Sequence, residues 1–407
     1  MNIVEGGVTA AKGFEAAGVE AAIKYQNRKD MAMVYSVEPC TAAGVFTSNV
    51  VKAAPVQWDK EVVTHSPYAQ AVVVNSGIAN ACTGKQGYDC CKQTAEATAK
   101  LLGIPADSVL VASTGVIGMQ LPLDKIVAGV EKLAEAKADT LEAGQMAAEA
   151  IMTTDTVSKQ AAVTFEIGGK TVTVGGMCKG SGMIHPNMCT MLGFITTDCC
   201  ISKKMLQKAL KNCIDDTFNM ISVDGDTSTN DTVLLMANGM AENKLIAEED
   251  ENYAKFYEAL YYIMEELSKK IAGDGEGCTC LFEVKVLNAL SDEDARCMAK
   301  SVVTSSLTKA AVYGHDANWG RILCAMGYSG AEFDPEKVDI YFESKAGKLQ
   351  IVRDGRATDY SEEKATEILS EEHVIAICDC KQGDFKATAY GCDLTHEYVN
   401  INADYRS

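Results

Sequence analysis

The chain has 407 residues, 47% hydrophobic and 23% charged, with 37 Lys and Arg against 56 Asp and Glu, a formal net charge of −19. That length accommodates two or more core-forming units, and the acidic balance argues against a protein that grips phosphate backbones with concentrated Lys and Arg. No Lys- or Arg-led apolar segment opens the sequence as a secretory signal would, and no apolar run approaches the ~20 residues of a membrane helix, so a cytoplasmic protein with neither nucleic acid nor membrane as partner is expected.

In chain order, residues 1–30 carry GGVTAAKGFEAAG, too polar and broken for a long helix, and short β-like runs follow at 33–37 and 44–48. Residues 69–75 (AQAVVVN) form a buried-strand pattern that stops at the turn Asn75-Ser76-Gly77. An Ala-rich helix is expected over 89–102, ended by Gly103-Ile104-Pro105. A short apolar strand at 108–112 runs directly into Ser113-Thr114-Gly115-Val116-Ile117-Gly118. Two helices rich in Ala, Glu, Lys and Leu follow at 123–138 and 140–152, then a hairpin over 161–174 turning at Gly168-Gly169.

That hairpin delivers the chain to KGSGMIHPNMCTMLGFITTD, residues 179–198. The Gly180-Ser181-Gly182 turn admits backbone geometries that other residues resist, and Pro186 fixes its own angle while restricting His185. Thr190 stands between this constrained turn and an apolar strand, a suitable place for a nucleophile. Read alone, it is more often a β-forming residue with a satisfied hydroxyl.

Beyond it a helix is expected over 202–219, a strand over 232–237, and a long amphipathic helix over 252–272 that ends in Gly273-Asp274-Gly275. A strand over 281–287 precedes a helix begun by Ser291 with an acidic first turn, which the helix dipole favours. Residues 338–342 and 350–353 pair as a hairpin, 361–369 form a short helix, and 373–390 hold two strands turning at Gln382-Gly383. Strands and helices alternate loosely with several hairpins, so the class is α/β with mixed rather than purely parallel sheets.

Eight of the sixteen cysteines fall in vicinal pairs (Cys90-Cys91, Cys199-Cys200) and C-x-C pairs (Cys278/Cys280, Cys378/Cys380), and none has the C-x-x-C zinc spacing. Several, such as Cys324 in RILCAMG and Cys378 in VIAICDC, lie in apolar runs and read as small hydrophobic core residues of a reducing compartment. The five His are scattered, without H-x-x-x-H or H-E-x-x-H, and no metal site is expected.

The run KGSGMIHPNMCTML resembles the self-cleavage and nucleophile segment of the ornithine acetyltransferase family, the bifunctional glutamate N-acetyltransferases of arginine biosynthesis. Similarity extends from GGVTAAKGF to the last residue. It implies a layered sandwich of mixed β-sheets with helices on the outer faces. It also implies self-cleavage between Cys189 and Thr190, giving an α chain of residues 1–189 and a β chain of 190–407 that share one active site. The family usually has Ala where this chain has the similarly small Cys189. It also departs at Ile78, His315 and Ala317, none of them assigned to chemistry.

By the same resemblance Thr190 is the nucleophile, Thr114 and Gly115 form the oxyanion hole, and Thr153, Lys179, Thr190, Glu276, Asn402 and Ser407 meet substrate. Such a cut would free an α-amine beside the Thr190 hydroxyl, and an amine of pKa about 7.7–8.0 is a base at neutral pH. The implied reaction moves acetyl from N2-acetyl-L-ornithine to L-glutamate through an acetyl-threonine. It needs no cofactor, because the amide donor carries its own acyl group. Acetyl-CoA is a second donor for some members of the family, and an α2β2 heterotetramer of the cleaved chains is the implied assembly. Two alternatives remain: an N-terminal-nucleophile aminopeptidase or amidase of related fold, and a non-catalytic binding relative. The latter predicts loss of Thr190 or Thr114-Gly115, and both are present.

Overall fold

The computed structural model describes residues 1–185 and 191–404, and these fall into two units. The first comprises residues 1–180, 227–267 and the described part of 186–215; the second comprises 181–185, 216–226 and the described residues from 268 onward.

The first unit begins with β1 (Asn2–Val4), β2 (Phe14–Val19), β3 (Met31–Phe46), α1 (Ala54–His65), β4 (Ala69–Asn75), α2 (Gly84–Leu102) and β5 (Val109–Ser113). It continues with α3 (Leu123–Ala136), α4 (Leu141–Ala150), β6 (Lys159–Ile167), β7 (Lys170–Lys179), β8 (Leu192–Thr197) and α5 (Lys203–Asp216). After β9 (Ile221–Ser222), which belongs to the second unit, the chain returns with β10 (Thr232–Ala237) and α6 (Glu251–Ala272), the end of which passes into the second unit.

Nine described strands form one sheet in the order β1-β6-β7-β8-β10-β3-β4-β5, with β2 added on β3. The hinge of this sheet is β3. Its first half, from Met31, pairs with β2 and β4, and its second half, from Thr41, pairs with β10. The two runs expected at 33–37 and 44–48 are therefore one strand. Between them Val37, Glu38 and Pro39 are exposed and the pairing with β4 shifts register, as expected where Pro has no N–H to donate.

Bending the sheet at β3 lets both halves share a core. Ala32, Val34, Val72, Val74 and Leu110 from one half pack with Leu192, Phe194, Leu234 and Met236 from the other. Because side chains alternate across a strand, Met31, Met33, Ala71, Val73, Val109 and Val111 face the other way, and α2 and α3 cover them. The outer face of β7 and β8 meets α6, where Gly176 lies so close to Leu267 that a Cβ would come within 3.1 Å of it. The first unit is thus helix, sheet, sheet, helix: the layered sandwich expected. α1, which the sequence pattern did not reveal, closes the edge of β5. Trp58 Nε1 donates to the Val109 carbonyl at 2.9 Å and Asp59 accepts from the Val111 N–H at 2.7 Å, satisfying backbone groups that a bare edge would leave open.

The second unit contains β11 (Leu281–Ala289), α7 (Asp292–Thr304), α8 (Ser306–Tyr313), α9 (Trp319–Gly327), β12 (Asp339–Ser344), β13 (Gly347–Arg353), β14 (Arg356–Ala357), α10 (Glu362–Leu369), β15 (His373–Asp379), β16 (Phe385–Cys392) and α11 (His396–Ala403). Its described strands order as β14-β13-β12-β15-β11-β16-β9. The hairpin expected near 338–353 is present as β12–β13. β15 and β16 are both strands, as expected, but they do not pair with each other: β11 lies between them, parallel to β15 and antiparallel to β16. Phe282, Val284 and Val286 of β11 meet Met298, Ala299 and Val302 of α7 in one core. Ser291 caps α7 as expected, its side chain accepting from the Asp294 N–H at 3.0 Å.

The cysteine reading needs correction. Cys40, Cys91, Cys213 and Cys378 are buried, but Cys82, Cys297 and Cys324 are exposed. Cys324 lies on α9, whose Ile322, Ala325 and Met326 take the inward positions, so an apolar neighbourhood in sequence did not mean an apolar neighbourhood in space. No described helix is long and apolar enough to cross a membrane.

Candidate active site

Thr114 and Gly115 follow β5, and their turn is fixed by the Asn75–Ile78 segment after β4. The Thr114 N–H donates to the Asn75 carbonyl at 3.0 Å and the Val116 N–H to the Gly77 carbonyl at 3.1 Å. Gly115 has φ +131°, and a Cβ there would lie 2.2 Å from the Gly77 carbonyl carbon, so only glycine fits. Buried amides lock the surroundings. Asn75 Oδ1 accepts from Ser113 Oγ at 2.6 Å while its Nδ2 donates to the Ile78 carbonyl at 2.9 Å. Asn230 Nδ2 donates to the Ala79 and Ser113 carbonyls at 2.6 and 2.7 Å. Against this order, neither the Thr114 hydroxyl nor the Gly115 N–H has a hydrogen-bond partner among the described residues. A rigid turn with two uncommitted donors suits an oxyanion.

Thr153 and Lys179 meet at a residue that sequence reasoning missed, Asp155. Its carboxylate is fully buried. Oδ1 accepts from Lys159 Nζ at 2.7 Å and from the Gly180 N–H at 2.7 Å; Oδ2 accepts from the Thr153 N–H at 3.0 Å and lies 4.0 Å from Lys179 Nζ. Burial alone would raise this carboxyl. The charges of Lys179 and Lys159, the Lys159 hydrogen bond and the Gly180 N–H outweigh it and hold it at about 2. The available signal was an acid in the turn MTTDT with Lys159 four residues on.

In the second unit the Gly273–Gly277 loop is built against α11. The Ser181 hydroxyl donates to the Asp274 carbonyl at 2.7 Å and the Glu276 N–H to the Ser181 carbonyl at 3.1 Å. Gly182 faces the Glu276 carboxylate so closely that a Cβ would fall 2.3 Å from its Cδ. Glu276 is buried, and its Oε2 accepts from Asn402 Nδ2 at 2.7 Å. Thr395 begins α11 with its hydroxyl donating to the Gly277 carbonyl at 2.7 Å and accepting from the Glu397 N–H at 3.1 Å. Helix α11 runs through Ala403 and brings Asn402 to Glu276.

The segment before the expected cut is held in the same unit. Asp224 accepts from the Met183 N–H at 2.6 Å and the Ile184 N–H at 2.9 Å, and Met183 has φ +56°. His185 Nδ1 lies 3.1 Å from Ser222 Oγ. Burial, then the nearby Lys300 ammonium, pushes this imidazole down to about 4, so it is neutral at physiological pH. Cys189, Thr190 and Ser407 lie outside the described residues. On either side of the expected cut, β7 and β8 pair antiparallel from Val174–Thr197 to Lys179–Leu192.

Uncommitted donors at a rigid strand end, and a carboxylate with its own amide partner, are parts that an acyltransferase uses. The ArgJ family model matches residues 15–407. The arginine biosynthesis bifunctional protein ArgJ of Thermotoga neapolitana is 52% identical over 397 residues, 97% of this chain and 99% of that protein. Its counterpart from Caldanaerobacter subterraneus is 50% identical over the full length of both. A solved chain of arginine biosynthesis bifunctional protein ArgJ from Bacillus halodurans is 47% identical with a TM-score of 0.51, and the match covers 53% of this chain and 99% of that one. The chain belongs to the ArgJ family and is an acyltransferase.

Proposed function

We propose that this acyltransferase cuts itself between Cys189 and Thr190 and then carries acetyl from N2-acetyl-L-ornithine to L-glutamate on Thr190, in arginine biosynthesis. The Thr190 hydroxyl attacks the acetyl carbonyl while the freed α-amine takes its proton. The oxyanion that forms is met by the Thr114 hydroxyl and the Gly115 N–H. The C–N bond breaks, ornithine leaves with the proton, and the acetyl remains on Thr190 Oγ. The glutamate amine then attacks this ester, giving N-acetylglutamate and free Thr190.

Lys179 is the partner proposed for a substrate carboxylate, Glu276 with Asn402 for an amine, and Thr153 and Ser407 complete the substrate contacts. Charged substrate groups lose water on binding, so matching partners are required. The α chain is residues 1–189 and the β chain 190–407, and an α2β2 assembly in the cytoplasm is the expected form. The pairing of β7 with β8 supports chains that remain associated after the cut. The Bacillus halodurans match also supports a cut: 53% of this chain accounts for nearly all of that one, and residues 190–407 are a share of similar size.

The Thr114–Gly115 turn carries the reading, because its two donors are ordered yet uncommitted. The test is incubation with acetylornithine, with and without glutamate, following ornithine release. Release that requires glutamate supports transfer. Release that ignores it makes the enzyme an amidase. Repeating the assay with acetyl-CoA and glutamate decides the second donor.

A further inference from the structure

Asp155 lies between helix α4 and strand β6, and the reaction just described gives it no task. Its side chain and that of Lys159 are wholly shielded from solvent, and that of Lys179 is 8% exposed. Burying one carboxylate with two ammonium groups is a poor way to stabilise a fold, because desolvation cancels most of the attraction and an apolar trio often does as well. Fixed geometry is what the arrangement supplies.

The two lysines are held differently. Lys159 Nζ is hydrogen-bonded to Asp155 Oδ1 at 2.7 Å, whereas Lys179 Nζ stands 4.0 Å from Oδ2, beyond hydrogen-bonding distance. The Lys179 ammonium has no hydrogen-bond partner among the described residues. It is thus kept in place beside Asp155 while its N–H donors remain available. The same carboxylate fixes the backbone on either side of it, at the Thr153 N–H and the Gly180 N–H.

We propose that Asp155 is a positioning residue that preorganises Lys179, Thr153 and Gly180 for a substrate carboxylate. This rests on the reading of Lys179 as a substrate-binding residue. Holding the cation in advance reduces the ordering that binding must otherwise bring about, so the effect belongs in KM more than in kcat.

The test uses the full-length cleaved enzyme. Asp155→Asn alone leaves two buried ammonium groups without their carboxylate and confounds binding with folding, so the decisive protein is Asp155→Asn/Lys159→Met, which restores the local charge count while removing the anchor. The expected result is a cooperatively folded protein whose KM for glutamate rises roughly 10–100-fold, the loss expected for a misplaced charge-assisted hydrogen bond, with kcat within about threefold of the parent. Lys179→Met should raise KM comparably, and combining it with the double change should add little. An unchanged KM in the double variant, a fall confined to kcat, or a double variant that cannot fold would each overturn the proposal, the last by making Asp155 a purely fold-stabilising residue. The parent enzyme separates this from the wider reading: if it releases ornithine without needing glutamate, the transfer reading itself fails before any variant is compared.

Discussion

In the first unit the groups proposed to meet a reacting carbonyl, the Thr114 hydroxyl and the Gly115 N–H, are neutral and unpartnered among the described residues, while Asn75, Ser113 and Asn230 behind them are bonded. In the second, Glu276 and Asn402 are already bonded to each other at 2.7 Å, and Glu276 is buried. The difference follows from what each would bind. An oxyanion exists only in the transition state, so its donors gain by waiting unoccupied and rigid. A substrate amine is a full charge throughout, and a buried carboxylate awaiting it needs an interim partner, because an unpaired buried charge is costly. Asn402 is that partner, and an amide can turn to bond the ligand as well.

The largest effect should come from closing the first kind of site. Gly115→Ala places a Cβ where the Gly77 carbonyl stands and asks a residue other than glycine for φ +131°. We expect a folded protein with transfer at least about 10³-fold down, as loss of both donors would give. Activity within tenfold of the parent would show that the turn is not where the oxyanion forms. Removing the Thr114 hydroxyl alone is milder. Thr114→Ala should lower kcat roughly 10²–10³-fold with KM little changed, and a changed KM with kcat intact would move Thr114 to ground-state binding.

The second kind of site should respond in KM. Deleting residues 402–407 removes the amide that holds Glu276 but leaves most of α11 and the Thr395 contact to Gly277. The expected product is folded and cleaved, with KM for the amino-acid substrates raised roughly tenfold or more, and Glu276→Gln should resemble it. Near-normal transfer by the truncated enzyme would return the tail to a merely structural role.

This contrast was only partly legible in the sequence. The hairpin at β6–β7, strand β10, helix α6 and the Ser291 cap follow local rules of alternation, helical periodicity and capping, and all appear within a few residues of where the pattern put them. Bonds between distant residues were not legible. Asn75-Ser76-Gly77 read only as a turn, because nothing local says that Gly77 will meet Gly115 or that Asn230 will reach the Ser113 carbonyl. Asp155 drew no attention in the sequence because its partner Lys179 is a hairpin away. Cys324 misled in the opposite sense: its apolar neighbours in sequence turn to the other face of α9. The roles proposed for Thr114, Glu276 and Asn402 came from family resemblance, and the fold places the last two in contact.

The smallest expected effect concerns the buried charge in the first unit, and it shows as stability rather than rate. Asp155 is held at about 2 in the folded protein, against about 3.9 for an ordinary aspartate. Above the unfolded value both states are ionised and the folded state keeps the full benefit of its lysine partners. As pH falls from about 4 to about 2 the unfolded chain takes up a proton that the folded one resists, so the unfolded state gains and stability is lost. The size implied is roughly 2–3 kcal/mol, one order-of-magnitude share of the total acid sensitivity. Urea unfolding of the parent and of Asp155→Asn/Lys159→Met between pH 5 and 2 measures it: the parent should lose stability more steeply across that window, by about this amount. Parallel curves would mean that Asp155 titrates normally, and would remove the electrostatic hold on Lys179 that separates this charged cluster from the neutral turn at Gly115.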